Sequence, residues 1–219
     1  MKETYLTKEN INDCTDTILE RCSAVNNKKR EILFGKNAAL LVIDAQEYFL
    51  NPESPAFAPS SVAVTENINK LIQLFEVNKL PVIFTKHGNT DSNAGMMKIW
   101  WKRLLEENSF YSEISKNILL PGDSVMINKT QYNAFYQSTL KDILTQKNVR
   151  SLIICGFLTN LCVETSIRES FVRGYNSVLP LDATCAYKYE YHLASCINLS
   201  NGFCSLSKTH YILQDFLND

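Results

Sequence analysis

The sequence predicts an α/β fold: a doubly wound, six-stranded, mostly parallel sheet with helices on both faces. From residue 38 onward, short apolar runs alternate with longer helical patterns. The short runs are apolar throughout, as strands of a parallel sheet covered on both faces require. The repeated strand–helix order favours a doubly wound, Rossmann-like sheet. In such sheets, ligands bind beyond the carboxyl ends of the strands.

Each predicted strand is a short apolar run followed by a turn or a helix. The first run, AALLVIDA, includes an aspartate near its end, and the third, SVMINK, ends in a lysine. The predicted strands cover residues 38–45, 80–86, 124–129, 149–156, 176–183 and 209–213.

The segments between these strands carry apolar residues at helical spacing, as TENINKLIQLFEVN does. The predicted helices cover residues 65–78, 94–107, 132–146, 161–174 and about 188–202.

The first 35 residues lie outside the strand–helix series. KENINDCTDTILERCSA (8–24) predicts one amphipathic helix, packed on the domain or on a neighbouring subunit. No repeat or Pro/Gly-rich linker divides the remaining chain. We therefore predict an N-terminal helical extension over residues 1–35 and one α/β domain over residues 36–219.

Composition favours a small-molecule partner. The net charge is −1 and basic residues are spread along the chain, so no charge pattern for nucleic acid or an anionic membrane exists. No run of 18 apolar residues is present, and the polar N-terminus is unlike a secretory signal. We expect neither nucleic acid nor membrane as a partner.

Cysteine and histidine usage indicates a reducing compartment. The seven cysteines are odd in number and contain no C-x-x-C pair, which fits reduced thiols in the cytoplasm. The three histidines are scattered, so a structural zinc site is not expected.

Three polar residues at predicted strand ends are candidates for chemistry. Asp44 follows the first apolar run, Lys129 ends the third strand, and Cys162 follows the fourth. Taken singly, each has an ordinary alternative: a cap, a surface lysine with a buried stem, or a buried thiol. Together they supply a carboxylate, a cation and a thiol to one crevice.

This set suits a cysteine nucleophile. A thiol attacks as the thiolate, and we expect a helix N-terminus and a nearby ammonium to lower its pKa. A carboxylate can take the thiol proton and return it to a leaving amine. The backbone of GFLTN, just before Cys162, can point N–H groups at an oxyanion. The seven glycines form no phosphate-binding pattern.

The motifs ALLVIDAQEYF, INKTQYNAF and GFLTNLCVETSIRESFVRGY resemble those of the isochorismatase-like cysteine hydrolases, which include nicotinamidases and N-carbamoylsarcosine amidase. The resemblance runs from about residue 38 to the C-terminus. It implies a catalytic triad of Asp44, Lys129 and Cys162 and a cis peptide bond between Phe157 and Leu158. It also implies an oxyanion site made by the N–H groups of Leu158 and Cys162, and a homo-oligomer, dimer or tetramer.

Departures from the family narrow the expected reaction. Members that act on isochorismate generally lack the cysteine, so Cys162 favours hydrolysis of a C–N bond in a small amide, carbamoyl or ureido compound through a thioester. Nicotinamidases carry a D-x-H metal motif, where this chain reads FLNPESPAF. We therefore expect no catalytic metal and no cofactor. Two alternatives stay open: a hydrolase that does not depend on the thiol, and a non-catalytic binding or redox-sensing relative.

The substrate pocket is predicted less directly. Loop aromatics after Asp44, a histidine past the second strand and aromatics near Lys129 are candidates, although core packing or a loop role would also explain them. Of the adjacent residues Trp100 and Trp101, at most one can face inward. The residues expected to bind substrate are Phe49, Phe57, His87, Trp100, Tyr132 and Phe135.

Overall fold

The computed structural model describes residues 2–25, 37–101 and 103–218. The predicted boundary between extension and domain, at residues 35 and 36, lies outside the described residues. The core is one parallel sheet of seven strands. The strands are β1 (Ala38–Ile43), β2 (Val82–His87), β3 (Val125–Lys129), β4 (Ser151–Phe157), β5 (Asn176–Pro180), β6 (Thr184–Cys185) and β7 (Ser205–Ser207).

The strand order confirms the doubly wound fold. Six strands follow the order β3-β2-β1-β4-β5-β7, and the two-residue β6 pairs with β4 beside β5. Strand β1 therefore has β2 on one side and β4 on the other, and the winding direction reverses between β1 and β4. The carboxyl ends of β1 and β4 flank this switch point, which is where ligands bind in such sheets.

Helices cover both faces of the sheet. They are α1 (Ile11–Val25), α2 (Glu47–Leu50), α3 (Ser61–Val77), α4 (Met96–Trp100), α5 (Leu140–Gln146), α6 (Glu164–Val172), α7 (Tyr189–Gly202) and α8 (Thr209–Asn218).

Successive strand residues enter two different cores. In β1, Leu40 and Val42 pack with α3 and α8 on one face, whereas Leu41 and Ile43 pack with α5, α6 and α7 on the other. All four side chains are fully buried. This two-sided burial is why the strand sequences are apolar without alternation.

Three predicted elements are corrected. The segment 209–213, predicted as a strand, begins α8, because the buried Asp182 caps it: its Oδ1 accepts the N–H and the Oγ1–H of Thr209, both at 2.8 Å. The last strand of the sheet is β7 instead. Among the described residues of 94–107 only α4 is helical, because the chain turns back to pair Asn89 with Glu106.

The third correction concerns the segment before α5. Residues 132–139 form turns instead of the predicted helix. Ala134 N–H donates to Ser166 Oγ at 3.0 Å, and Phe135 N–H donates to Asn133 Oδ1 at 2.8 Å. These side-chain acceptors compete with helical hydrogen bonds, and Gln137 has a positive φ of 48°.

The predicted helix of the N-terminal extension is present as α1. It packs through Ile18 and Cys22 against the face of the sheet that α7 covers. In the described part of the chain, no helix is long and apolar enough to span a bilayer.

A glycine in β4 permits the close approach of β4 to β1. Gly156 has φ of +108°, and a Cβ built there would lie 2.0 Å from the backbone oxygen of Ile43. Backbone atoms of a central strand cannot move aside, so only glycine fits this position.

We expect Gly156→Ala to lower the free energy of unfolding by about 3 kcal/mol or more, since it adds both a backbone clash and a disfavoured φ. Urea unfolding followed by circular dichroism measures the effect. Gly202→Ala is the matched control, because a Cβ at Gly202 would meet no atom within 4 Å. Equal stabilities of the two variants would contradict this account.

Candidate active site

The ends of three strands bring a carboxylate, an ammonium and a thiol together. Asp44 follows β1, Lys129 is the last residue of β3, and Cys162 lies five residues beyond the end of β4. Strand β2 lies between β1 and β3, so the long side chain of Lys129 bridges the gap. The three residues predicted to act together are therefore neighbours in space.

Lys129 is the centre of this group. Its Nζ lies 2.7 Å from Oδ2 of Asp44 and 3.3 Å from Sγ of Cys162. A third contact, 2.9 Å long, runs to the carbonyl oxygen of Gln131. Both charged side chains of the ion pair are fully buried. The ammonium thus has three partners and no solvent.

Asp44 is fixed by its own backbone and by β2. Thr85 Oγ1 donates to Asp44 Oδ1 at 2.6 Å and accepts the Asp44 N–H at 3.1 Å. Asp44 has a φ of 47°, a left-handed conformation that turns the chain sharply after β1. Gln46 follows, and its Nε2 donates to the carbonyl oxygen of His87 at 2.8 Å. The ends of β1 and β2 are thereby tied together.

Cys162 lies in a π-helical turn, Thr159–Val163, that leads directly into α6. Such wide turns occur frequently at functional sites. Ser166, one turn further on, is fully buried and donates to the Cys162 carbonyl oxygen at 2.7 Å. It also accepts the N–H of Ala134, so the turn is anchored to the segment that follows Lys129.

The electrostatics of the thiol differ from the sequence-based expectation. Burial raises the pKa of Cys162, the Lys129 ammonium lowers it, and the Asp44 carboxylate raises it again. The net direction is upward, because a thiolate added to a buried, already neutral ion pair would leave one uncompensated negative charge. The expected lowering of the thiol pKa is therefore wrong for the resting site, where the thiol is protonated.

Lys129 keeps its charge for a related reason. Burial alone would lower its pKa, but the attraction of Asp44, followed by that of Cys162, outweighs burial and raises it. The resting site therefore holds a paired ammonium and carboxylate beside a neutral thiol.

The other cysteines are separate from this group. Five of the remaining six are buried, and Cys14 is half-buried. Burial alone raises the pKa of Cys155 and of Cys185.

The peptide bond between Phe157 and Leu158 is cis, as the sequence resemblance implied. Leu158 is almost fully buried and lines the same cavity as Cys162.

A cavity opens above the three residues. Together with its open mouth, it has a volume of about 590 Å³. Asp44 and Cys162 form part of its wall. Three of the residues predicted for substrate binding also line it: Phe49, His87 and Tyr132.

The other three predicted pocket residues lie elsewhere. Phe135 is buried in the core and stacks on Tyr175, and Phe57 lies outside the cavity wall. Trp100 is 73% exposed, whereas Trp101 lines the cavity and donates its Nε1–H to the hydroxyl of Tyr132. Trp101 thus occupies the position expected for Trp100.

Comparison with known proteins identifies the family. The isochorismatase domain matches residues 38–210. The chain belongs to the isochorismatase domain family. It is 33% identical over 175 residues to nicotinamidase 3 of Arabidopsis thaliana, across 78% of this chain and 84% of that protein.

Two further proteins are similar to this chain. Identity to N-carbamoylsarcosine amidase of Arthrobacter sp is 24% over 160 residues, covering 69% of this chain and 61% of that protein. The crystal structure of a cysteine hydrolase from Pseudomonas syringae pv. phaseolicola 1448A superposes with a TM-score of 0.81 at 22% identity, over 86% of this chain and 96% of that one. This member of the isochorismatase domain family is a hydrolase that acts on C–N bonds.

Several cavity residues of this family member had no signal in the sequence. Tyr187 comes from the turn after β6, and Leu104 and Leu105 follow the short helix α4. Tyr48 adjoins the predicted Phe49, so only its neighbour pointed to it. Asn89 also lines the cavity. It lies two residues beyond the end of β2, so its place after a strand was the signal that could have found it.

His87 and Asn89 each place a buried polar atom at the cavity wall, where a ligand group can hydrogen-bond to it. In residues 2–25, 37–101 and 103–218, no group of three or more His, Cys, Asp or Glu side chains is arranged to hold a metal ion.

Two histidines, the fully buried His192 and the half-buried His87, should make stability depend on pH. Burial lowers the pKa of His87 to about 4 and that of His192 to about 4, from a usual 6.5. Between these values the unfolded chain binds protons that the folded chain does not, so stability falls as pH falls. From pH 7.5 to 5.5, the free energy of unfolding should drop by about 1 kcal/mol for each histidine.

Urea unfolding at pH values from 7.5 to 5.5 measures this slope. His87→Gln and His192→Gln should each flatten it by about 1 kcal/mol over that interval, whatever their effect on stability at pH 7.5. Variants with the wild-type slope would contradict the burial of neutral histidines.

Proposed function

We propose that this protein is a metal-independent cysteine hydrolase that cleaves a C–N bond of a small amide, carbamoyl or ureido compound through a thioester. The observation that carries the proposal is the position of Lys129 Nζ, 2.7 Å from the carboxylate of Asp44 and 3.3 Å from the sulfur of Cys162. Asp44 and Cys162 both line the cavity. Membership of the family indicates the reaction class, and this geometry indicates which side chains would carry out the reaction.

In the first step, the Asp44 carboxylate takes the proton of the Cys162 thiol while sulfur attacks the substrate carbonyl carbon. The proton moves within the site, so the negative charge passes from Asp44 to sulfur and then to the carbonyl oxygen. Lys129, which contacts both the carboxylate and the sulfur, offsets that charge at each stage. The N–H groups of Leu158 and Cys162 are proposed to bind the oxyanion.

In the second step, the C–N bond breaks and the Asp44 proton goes to the departing nitrogen, which leaves as ammonia or an amine. The acyl group remains on sulfur as a thioester. Asp44, again a carboxylate, takes a proton from water as it attacks the thioester. The sulfur leaves and recovers the proton, which restores the resting site.

The cavity wall supports an uncharged substrate. Most of its lining is aromatic or aliphatic, and His87 is neutral because burial holds its pKa at about 4. The ammonium of Lys129 is already paired. Among the described residues that line the cavity, Arg103 is the one Lys or Arg, and it is exposed. Burying a carboxylate deep in this cavity would cost several kcal/mol without a partner.

Homo-oligomerisation is proposed from the family resemblance alone. Size-exclusion chromatography with light scattering tests it: a mass of about twice or four times the 25.0 kDa chain supports it, and a monomer contradicts it.

We expect Cys162→Ala and Asp44→Asn to lower kcat for amide hydrolysis by about 10³-fold or more, because each removes the nucleophile or its base. The assay is ammonia release from a panel of small amides, carbamoyl and ureido compounds. Cys155→Ala alters a buried cysteine of β4, the strand that precedes Cys162; it is the matched control and should retain kcat within about threefold. Treatment of the wild type with a chelator should leave its rate unchanged.

The outcomes separate the alternatives. Hydrolysis that persists in Cys162→Ala would favour the thiol-independent hydrolase. A wild type without hydrolysis, whose Cys162 is reversibly oxidised by peroxide, would favour the redox-sensing relative.

Among substrates of similar size, a neutral amide should have a kcat/KM about tenfold or more above that of its carboxylate-bearing analogue, since the described part of the cavity lining offers no free buried cation. A panel that pairs each amide with such an analogue measures the ratio. Preference for the acids, lost in Arg103→Met, would contradict the proposal and assign carboxylate binding to Arg103.

A further inference from the structure

Residues 2–6 form a segment, here called the N-terminal strap, that lies against the cavity-lining part of the domain. It precedes the matched isochorismatase domain, which begins at residue 38. Leu6 anchors its end in the core, with 1% of its surface exposed. The strap therefore lies outside the matched family domain.

The strap forms hydrogen bonds with backbone groups of the turn between β6 and α7. Glu3 N–H donates to the Tyr187 carbonyl oxygen at 2.8 Å. The hydroxyl of Tyr5 accepts the Ala186 N–H at 2.8 Å, and a carboxylate oxygen of Glu3 accepts the Tyr189 N–H at 3.4 Å. Three backbone groups within four residues of this turn are thus bonded to the strap.

The Tyr5 hydroxyl also reaches α7. It lies 2.8 Å from Nδ1 of the fully buried His192. The tautomer of the His192 ring sets which of the two atoms donates in this hydrogen bond. The Tyr5 ring packs edge-on against Tyr189 and His192.

The strap also holds the loop that precedes α3. The N–H groups of Tyr5 and Leu6 both donate to Ser60 Oγ at 3.1 Å. Lys2 Nζ donates to the Pro55 carbonyl oxygen at 2.8 Å and lies 4.5 Å from the centre of the Tyr187 ring. The same short segment therefore binds two parts of the domain that are distant in sequence.

These two parts meet at Tyr187, which lines the active-site cavity. Its hydroxyl donates to the Ala56 carbonyl oxygen at 2.8 Å, and its backbone is bonded to Glu3. Among the described residues, no hydrogen bond or ion pair joins the strap to Asp44, Lys129 or Cys162.

From this arrangement we propose that the N-terminal strap positions Tyr187, and with it the wall of the substrate cavity, so that Tyr5 and Lys2 are positioning residues for substrate binding. The effect on KM rests on the proposed function, because it assumes that the cavity binds the substrate. The strap stabilises the cavity wall, whereas the strands of the sheet position Asp44, Lys129 and Cys162. Its loss should therefore weaken substrate binding and leave the chemical step intact.

The test compares Tyr5→Phe and Lys2→Met with matched controls in the full chain. Tyr175→Phe alters a half-buried tyrosine just before the amino end of β5, and the active site lies at the carboxyl ends of the strands. Lys8→Met alters an exposed lysine beyond the strap. KM and kcat are measured with the best substrate of the panel. Amide hydrogen exchange of residues 51–60 and 186–189 is measured on the same proteins.

The strap variants should raise KM by about threefold or more, keep kcat within about twofold, and speed exchange in both segments by about tenfold. The controls should change neither. Unchanged KM in an active enzyme, or a fall in kcat alone, overturns the proposal while the proposed function stands. If the wild type hydrolyses nothing, the proposed function fails and exchange decides: faster exchange supports the bracing role, and unchanged exchange overturns it.

Discussion

The buried ion pair between Lys129 and Asp44 is the interaction on which the rest of the site depends. Neither side chain reaches solvent, so each charge has lost its hydration, and loss of either partner would cost about 3–5 kcal/mol. The surroundings are arranged to offset this cost. Thr85 bonds the carboxylate, the Gln131 carbonyl bonds the ammonium, and the thiol of Cys162 takes the last position beside it. A cleft that must hold one positive and one negative charge can move a proton between carboxylate and thiol without changing its total charge.

The sheet and the three reactive groups were predictable because one physical rule governs both. Strands buried on two faces are apolar along their whole length, so a polar residue at a strand end stands out. Parallel strands bring such ends to one edge, and Asp44, Lys129 and Cys162 meet there. The protonation of the thiol was not predictable, since the sequence shows which charges are near Cys162 but not how completely solvent is excluded from it.

The remaining errors share a cause: contacts from far along the chain override local pattern. Residues 209–213 have the apolar run of a strand, yet Asp182, 27 residues earlier, caps them as a helix. Pairing between Asn89 and Glu106 ends α4 early, which sends Trp101 rather than Trp100 into the cavity. Tyr187 lines the cavity from a turn with no motif, and the strap that holds it lies about 180 residues away in sequence, at Tyr5. Pocket walls are built from such long-range contacts, so local periodicity does not reveal them.

The protonated state of Cys162 has a consequence for covalent chemistry on this protein. A simple alkylating agent selects thiols by their acidity, and here acidity does not favour Cys162, since burial raises its pKa as it does those of Cys155 and Cys185. An electrophile that presents a carbonyl group to the cavity would draw the thiol proton onto Asp44 as it binds. Such a warhead would distinguish this thiol from the others by the reaction it undergoes. Covalent ligands for this protein are therefore best designed as substrate mimics that are recognised before they react.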